Sequence, residues 1–192
     1  MMTPPALLLI DIQLGFQDLA YWGGERTNPA AEGTAAKLLA TWRRHGWPVF
    51  HVRHSSTNPA SPLHADRPGF AFHPSVRPRS NEPVIVKSVN SGFIGTDLEE
   101  QLRTAGIETL IIAGLTTQHC VSTTTRMAGN LGFRVYLVED ATAAFPAKTP
   151  EGDTIDAATV QRVALANLHG EFATVVSSEA LLARLTHLPI GS

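Results

Sequence analysis

Thr109-Leu-Ile-Ile-Ala-Gly-Leu-Thr-Thr-Gln-His-Cys-Val-Ser-Thr-Thr-Thr-Arg-Met-Ala-Gly129 decides the fold. Leu110 to Ala113 is apolar and partly β-branched and ends at Gly114, so it reads as a buried strand. From about Thr117 the spacing turns helical. Val121, Thr124 and Ala128 fall on one side until Gly129, Asn130 and Gly132 stop the run. Cys120, the chain's single cysteine, therefore sits at a strand–turn–helix junction. Helix N-termini favour an anion, so the sulfur is expected to ionise more easily than a free thiol. The plain alternative is a small buried apolar residue, the commoner fate of a free cysteine.

Working outward, the same strand–helix alternation recurs. Ala6-Leu-Leu-Leu-Ile-Asp11-Ile-Gln13 is an apolar run that meets a carboxylate, as suits a central strand covered on both faces. Leu14 to Glu32 reads as loop. Ala35, Leu38, Leu39 and Trp42 give an amphipathic helix closed by Gly46, and Pro48 to Arg53 follows as a strand. Pro83-Val-Ile-Val-Lys87 is a third strand. Thr96 to Glu99 has capping-box form, and Leu98, Leu102 and Ala105 supply the buried stripe of the helix it opens. After the Cys120 segment come a strand over Arg134–Val138, a loop rich in Ala, Pro and Gly, and a helix over Asp156–His169 with Val160, Val163, Ala164 and Leu168 inward. A last strand over Phe172–Val176 and a short helix over Glu179–Leu185 end the pattern. Six strands with intervening helices predict a three-layer α/β fold with a mostly parallel sheet, organised as a single domain over 1–192.

Composition narrows the function classes. Apolar residues make up 43% and charged residues 17%, within the range of an ordinary globular protein. A formal charge of −2 offers no basic face for nucleic acid or anionic membranes. One cysteine excludes an intrachain disulfide, and no apolar run approaches the roughly 20 residues of a membrane span. The N-terminal residues lack signal-peptide character. A cytoplasmic protein is expected.

Residues 55–83, rich in proline, serine, asparagine and histidine, read as a long unstructured insertion, as functional loops or lids often are. His51, His54, His64 and His73 lie in or beside this segment. Their spacing matches no metal-ligand pattern, so they read as satisfied or exposed histidines and no metal is expected. No Gly-x-Gly-x-x-Gly follows any strand, which argues against a dinucleotide. In a parallel sheet the ligand crevice lies beyond the C-terminal strand ends. Asp11, Lys87 and Cys120 each stand at such an end, on three different strands. Alone, Asp11 could be a turn carboxylate and Lys87 a snorkelling surface lysine; together they outline a nucleophile with a carboxylate and an ammonium.

Those residues resemble the isochorismatase-like cysteine hydrolases, which include nicotinamidases and carbamoyl-amide hydrolases. The likeness rests on Leu8–Gln13 with Phe16, on Lys87 with Ser91–Phe93 and Thr96–Leu98, on Ile112–Val121, and on Val138–Ala141. It implies a six-stranded parallel sheet and an Asp11–Lys87–Cys120 triad. It also implies a cis Leu115–Thr116 peptide and an oxyanion hole made by the Thr116 and Cys120 N–H groups. The reaction implied is cleavage of an amide or carbamoyl-type C–N bond through a thioester, without a cofactor, in a homodimer or larger homo-oligomer. His51-Val-Arg-His54 stands where nicotinamidases carry an Asp-x-His metal cluster, so neither a metal nor nicotinamide is expected, and Gln118 stands where they usually carry Asp, so local contacts are expected to differ. Phe16, Trp22, Phe93, Gln118, His119 and Phe145 are the candidate walls for a small-molecule substrate. The rivals are vinyl-ether hydrolysis with Asp11 as acid, a non-catalytic binder of small molecules, and a redox-responsive thiol.

Overall fold

The computed structural model describes residues 3–185, so both ends of the expected 1–192 domain lie outside the described residues. Six parallel strands form one sheet: β1 Ala6–Ile10, β2 Val49–His54, β3 Val84–Lys87, β4 Thr109–Leu115, β5 Arg134–Ala143 and, after a two-stranded ribbon, β8 Thr174–Val176. Their order is β3-β2-β1-β4-β5-β8. The ribbon pairs β6 Ala147–Lys148 with β7 Thr154–Ile155 inside a segment that reads as loop in the sequence. The helices are α1 Ala31–His45, α2 Leu98–Thr104, α3 Ser122–Asn130, α4 Ala157–Leu168 and α5 Ser178–Leu185. Among the described residues, no helix is long and apolar enough to cross a membrane.

β1 has no polar side because both of its faces are covered. Leu8 and Ile10 join one apolar cluster with Leu98, Leu102, Val121 and Ala128. Leu7 and Leu9 join another with Ala35, Leu38, Leu39 and Trp42. At roughly 1.5–3 kcal/mol per large apolar side chain buried, these two layers supply most of the drive to fold. Gly114 shows how closely β1 and β4 approach: a Cβ there would lie 2.0 Å from the Ile10 carbonyl oxygen, and its φ is +140°. Any side chain would part the two strands that deliver Asp11 and Cys120.

Four local expectations are corrected. Thr96 and Glu99 form no complete capping box: the Thr96 hydroxyl accepts from the Leu98 N–H at 3.4 Å and donates to the Gly92 carbonyl at 2.6 Å, but Glu99 pairs with Arg103 at 3.3 Å instead of reaching back. Ala105 is the exposed C-cap of α2 rather than part of its buried stripe. On α4 Val163 is 51% exposed and Gln161 is buried in its place. The Gln161 amide donates to the Thr142 hydroxyl at 3.1 Å, and that bond turns the helix away from the face its aliphatic residues suggest. Residues 55–83 hold two 3₁₀ turns, Pro68–Phe70 and Pro74–Val76, rather than lacking structure.

Candidate active site

The C-terminal rim of the sheet gathers the predicted residues. Asp11 follows β1 with φ +52°, a left-handed backbone that a non-glycine residue adopts at a cost and that recurs at functional sites. Lys87 is the last residue of β3, and Cys120 lies in a π-helical turn, Thr117–Val121, between β4 and α3. The Lys87 ammonium donates to Asp11 Oδ2 at 2.6 Å, with both side chains fully buried. Cys120 Sγ, a carboxylate oxygen of Asp11 and a ring nitrogen of His54 all lie within 4.8 Å of one another. The thiol also faces Asn90 Oδ1 at 3.9 Å, a long and weak contact. Asp11 Oδ1 is buried without a hydrogen-bond partner, which is the unusual feature here, because buried carboxylate oxygens are normally satisfied.

The electrostatics correct one expectation. The sulfur does not ionise more easily than a free thiol: burial, and then the charge of Asp11, push it up to about 12. A helix end contributes about 0.3–1 kcal/mol toward an anion, too little to offset the loss of water around a buried sulfur. Burial also raises Asp11, against the opposing pull of Lys87. The resting arrangement is thus a neutral thiol beside a carboxylate–ammonium pair, and the carboxylate binds a proton more readily than one in water. That suits a group that takes a proton and returns it.

His54, read from the sequence as a satisfied or exposed histidine, belongs to this cluster: its Nδ1 lies 3.1 Å from Lys87 Nζ. By ligand type Asp11, His54 and Cys120 could hold a soft divalent ion. The space is contested by the ammonium, which already lies within hydrogen-bond distance of two of the three. Gln13 is the other residue the sequence reading passed over. Fully buried, it accepts from the His54 backbone N–H at 2.9 Å and donates to the His54 and Phe70 carbonyls at 3.1 and 2.9 Å. It ties the rim of β2 to the 55–83 segment.

The Leu115–Thr116 peptide is cis. The Thr116 carbonyl accepts from the His119 and Val121 N–H groups at 3.1 and 3.2 Å, fixing the turn that carries Cys120. Three of the proposed wall residues come together: Phe16 stacks on Trp22 at 4.8 Å and on Phe145 at 6.4 Å, beside Leu115. Gln118 joins them, its amide donating to the Phe145 carbonyl at 3.5 Å while its Oε1 is buried and unpartnered. Phe93 does not join this group. It stacks on Phe133 at 6.0 Å and packs against the other apolar cluster, while His119 is exposed.

Comparison with known proteins identifies the family. Residues 5–180 match the isochorismatase domain. The isochorismatase family protein YrdC of Bacillus subtilis is 48% identical over 177 residues, covering 92% of this chain and 94% of that one. A crystallised isochorismatase-family protein of Chromobacterium violaceum is 45% identical with a TM-score of 0.91, covering 96% of this chain and 94% of the other. The maleamate amidohydrolase of Pseudomonas putida is 27% identical over 201 residues, covering 96% and 88%. The domain match and the likeness in sequence and fold agree, and the chain belongs to the isochorismatase family of hydrolases.

Proposed function

We propose that the protein hydrolyses an amide or carbamoyl-type C–N bond of a small molecule, with Cys120 as nucleophile. The observation that carries this reading is the Cys120 sulfur packed beside a buried Asp11–Lys87 pair whose Oδ1 has no partner. Asp11 takes the thiol proton as the sulfur attacks the substrate carbonyl, and the Lys87 ammonium offsets the charge left on the sulfur. The oxyanion is met by the Thr116 and Cys120 N–H groups. Protonated Asp11 gives its proton to the leaving nitrogen, the C–N bond breaks, and a thioester remains on Cys120. Water, deprotonated by Asp11, then attacks the thioester, and the acid leaves as the thiol is restored. The Phe16–Trp22–Phe145 stack offers an apolar wall and Gln118 Oε1 an acceptor for a substrate N–H group. The amidohydrolase among the relatives supports this choice of bond.

A second reading has an observation of its own. The raised affinity of Asp11 for a proton also suits an acid that protonates a vinyl ether, with Cys120 as a bystander. One experiment separates the two. Small amides are screened for ammonia release, and the quenched enzyme is weighed by mass spectrometry. An acyl adduct on Cys120, absent from Cys120→Ala, supports thioester chemistry; unchanged turnover in Cys120→Ala ends it.

A further inference from the structure

The proposed reaction assigns no role to the imidazole that touches its ammonium. His54 is the last residue of β2, and the parallel register sets it directly beside Lys87, the last residue of β3. Their side chains rise from the same face of the sheet, and His54 Nδ1 lies 3.1 Å from Lys87 Nζ. An ammonium carries three donors and no acceptor. At that distance Nδ1 must therefore be the acceptor, so the ring is neutral and its proton sits on Nε2. The backbone of His54 is gripped on both sides by the Gln13 amide, at 2.9 and 3.1 Å, which fixes where the ring points. Of the three ammonium protons, one goes to Asp11 and one to His54, which leaves a third, and the Lys87 charge favours the ionised sulfur.

We propose that His54 is a positioning residue: its neutral Nδ1 anchors the Lys87 ammonium, holding it against Asp11 and within range of the Cys120 sulfur. The proposal rests on the reading of Cys120 as the nucleophile. A lysine side chain is long and has many rotamers to lose, and Asp11 alone fixes the ammonium along only one direction. A second acceptor from the neighbouring strand defines the position of the charge. Protonation of the ring removes that acceptor and sets two cations face to face.

The groups that bear on the ring are Lys87 from β3, Asp11 from the end of β1, Cys120 from the π-helical turn, and the backbone of Val89 beyond β3. Burial and then Lys87 favour the neutral ring, whereas Asp11 and Val89 favour the charged one. The balance lies with the neutral ring. The anchor therefore holds at neutral pH and is lost on acidification, at a pH below the usual histidine range.

The test needs no substrate. Cys120 alkylation by iodoacetamide is followed by mass spectrometry from pH 5 to 9 in the wild type, His54→Leu and His54→Asn. Histidine ring nitrogens are followed by NMR in the wild type and Lys87→Met. Losing a hydrogen bond to a charged group lowers alkylation about tenfold or more in His54→Leu at pH 8. His54→Asn, whose Oδ1 can stand where Nδ1 stood and does not titrate, restores most of that rate and straightens the acid side of the profile. The wild-type ring shows the Nε2–H form, and Lys87→Met makes it easier to protonate. The proposal is overturned by an Nδ1–H ring, by equal alkylation in His54→Leu, or by a His54 titration that ignores Lys87. Should His54→Leu not fold, His54→Asn and Lys87→Met decide the matter. Failure of every amide in the turnover screen would sink the amide reading and leave these outcomes as they stand.

Discussion

Strands β2 and β3 carry a buried charge cluster at each end, and the two are built on opposite terms. Near their N-terminal ends Glu82 takes a bidentate pair from Arg43 at 2.7 and 2.7 Å, the His51 ring at 2.9 Å and the Arg79 N–H at 2.9 Å. Despite partial burial, those partners hold Glu82 down to about 2. At the C-terminal ends, Asp11 has one oxygen on Lys87 and the other without a close hydrogen bond, facing no stronger donor than the Cys120 thiol, and burial raises it. A carboxylate surrounded by donors is a fixed anion that fastens loops and helix α1 to the sheet. A carboxylate left one partner short can still take up a proton, which a structural clamp has no use for. What separates the clamp from the candidate machinery is how many donors meet the carboxylate: four N–H groups reach Glu82, while one ammonium reaches Asp11.

Four measurements would sharpen or break that contrast. The largest effect is on turnover: with any amide the screen identifies, Cys120→Ala should lose about 10⁴-fold or more in kcat. Its melting temperature should fall little, since a single buried sulfur atom is removed and its hydrogen bond to Asn90 is long, 3.9 Å. A large loss of stability with turnover intact would reverse the roles of the two clusters. Next, Arg43→Ala removes the bidentate partner of Glu82 and should cost about 2–3 kcal/mol in urea unfolding. The rate per folded molecule should not change.

The third measurement is pH dependence, and the two clusters predict different windows. Glu82 is depressed from its ordinary 4.5 to about 2, so its share of stability is complete above 4.5 and fades as pH falls toward 2. His51 is held neutral below its ordinary 6.5, chiefly by burial, so it too stabilises less on acidification, beginning near 6.5. Asp11 is raised above 3.8, and the base is lost as pH falls through that raised value. The acid limb of kcat/KM should therefore lie above the ordinary carboxylate range, at a pH where Glu82 is still ionised and its clamp intact. Coincident acid limbs for rate and for Glu82-dependent unfolding would erase the distinction. The smallest effect sets the baseline: Val163→Lys, at a half-exposed position in neither cluster, should change unfolding free energy by no more than about 0.5 kcal/mol.

His51 and His54 show how far sequence reading reaches. They look alike in the chain, and neither has metal-ligand spacing. Three residues apart on a strand, they must face opposite sides of the sheet. One meets Glu82 and the other Lys87, but which partner waits on each side depends on strand order. The same limit applies to Gln161 and Val163 on α4. Apolar periodicity favours Val163, and a hydrogen bond to Thr142, on a distant strand, favours Gln161.

Strand–helix alternation and local residue type were enough to place a carboxylate, an ammonium and a thiol at three C-terminal strand ends, because parallel strands with crossover helices leave one rim free. The family followed from the same short motifs. Tertiary structure alone decided the protonation of that rim, the membership of His54, the separation of Phe93 from the other aromatics, and the idle oxygen of Asp11. Each depends on how much water is displaced and which donor arrives from another strand, and neither quantity is encoded in any single stretch of the chain.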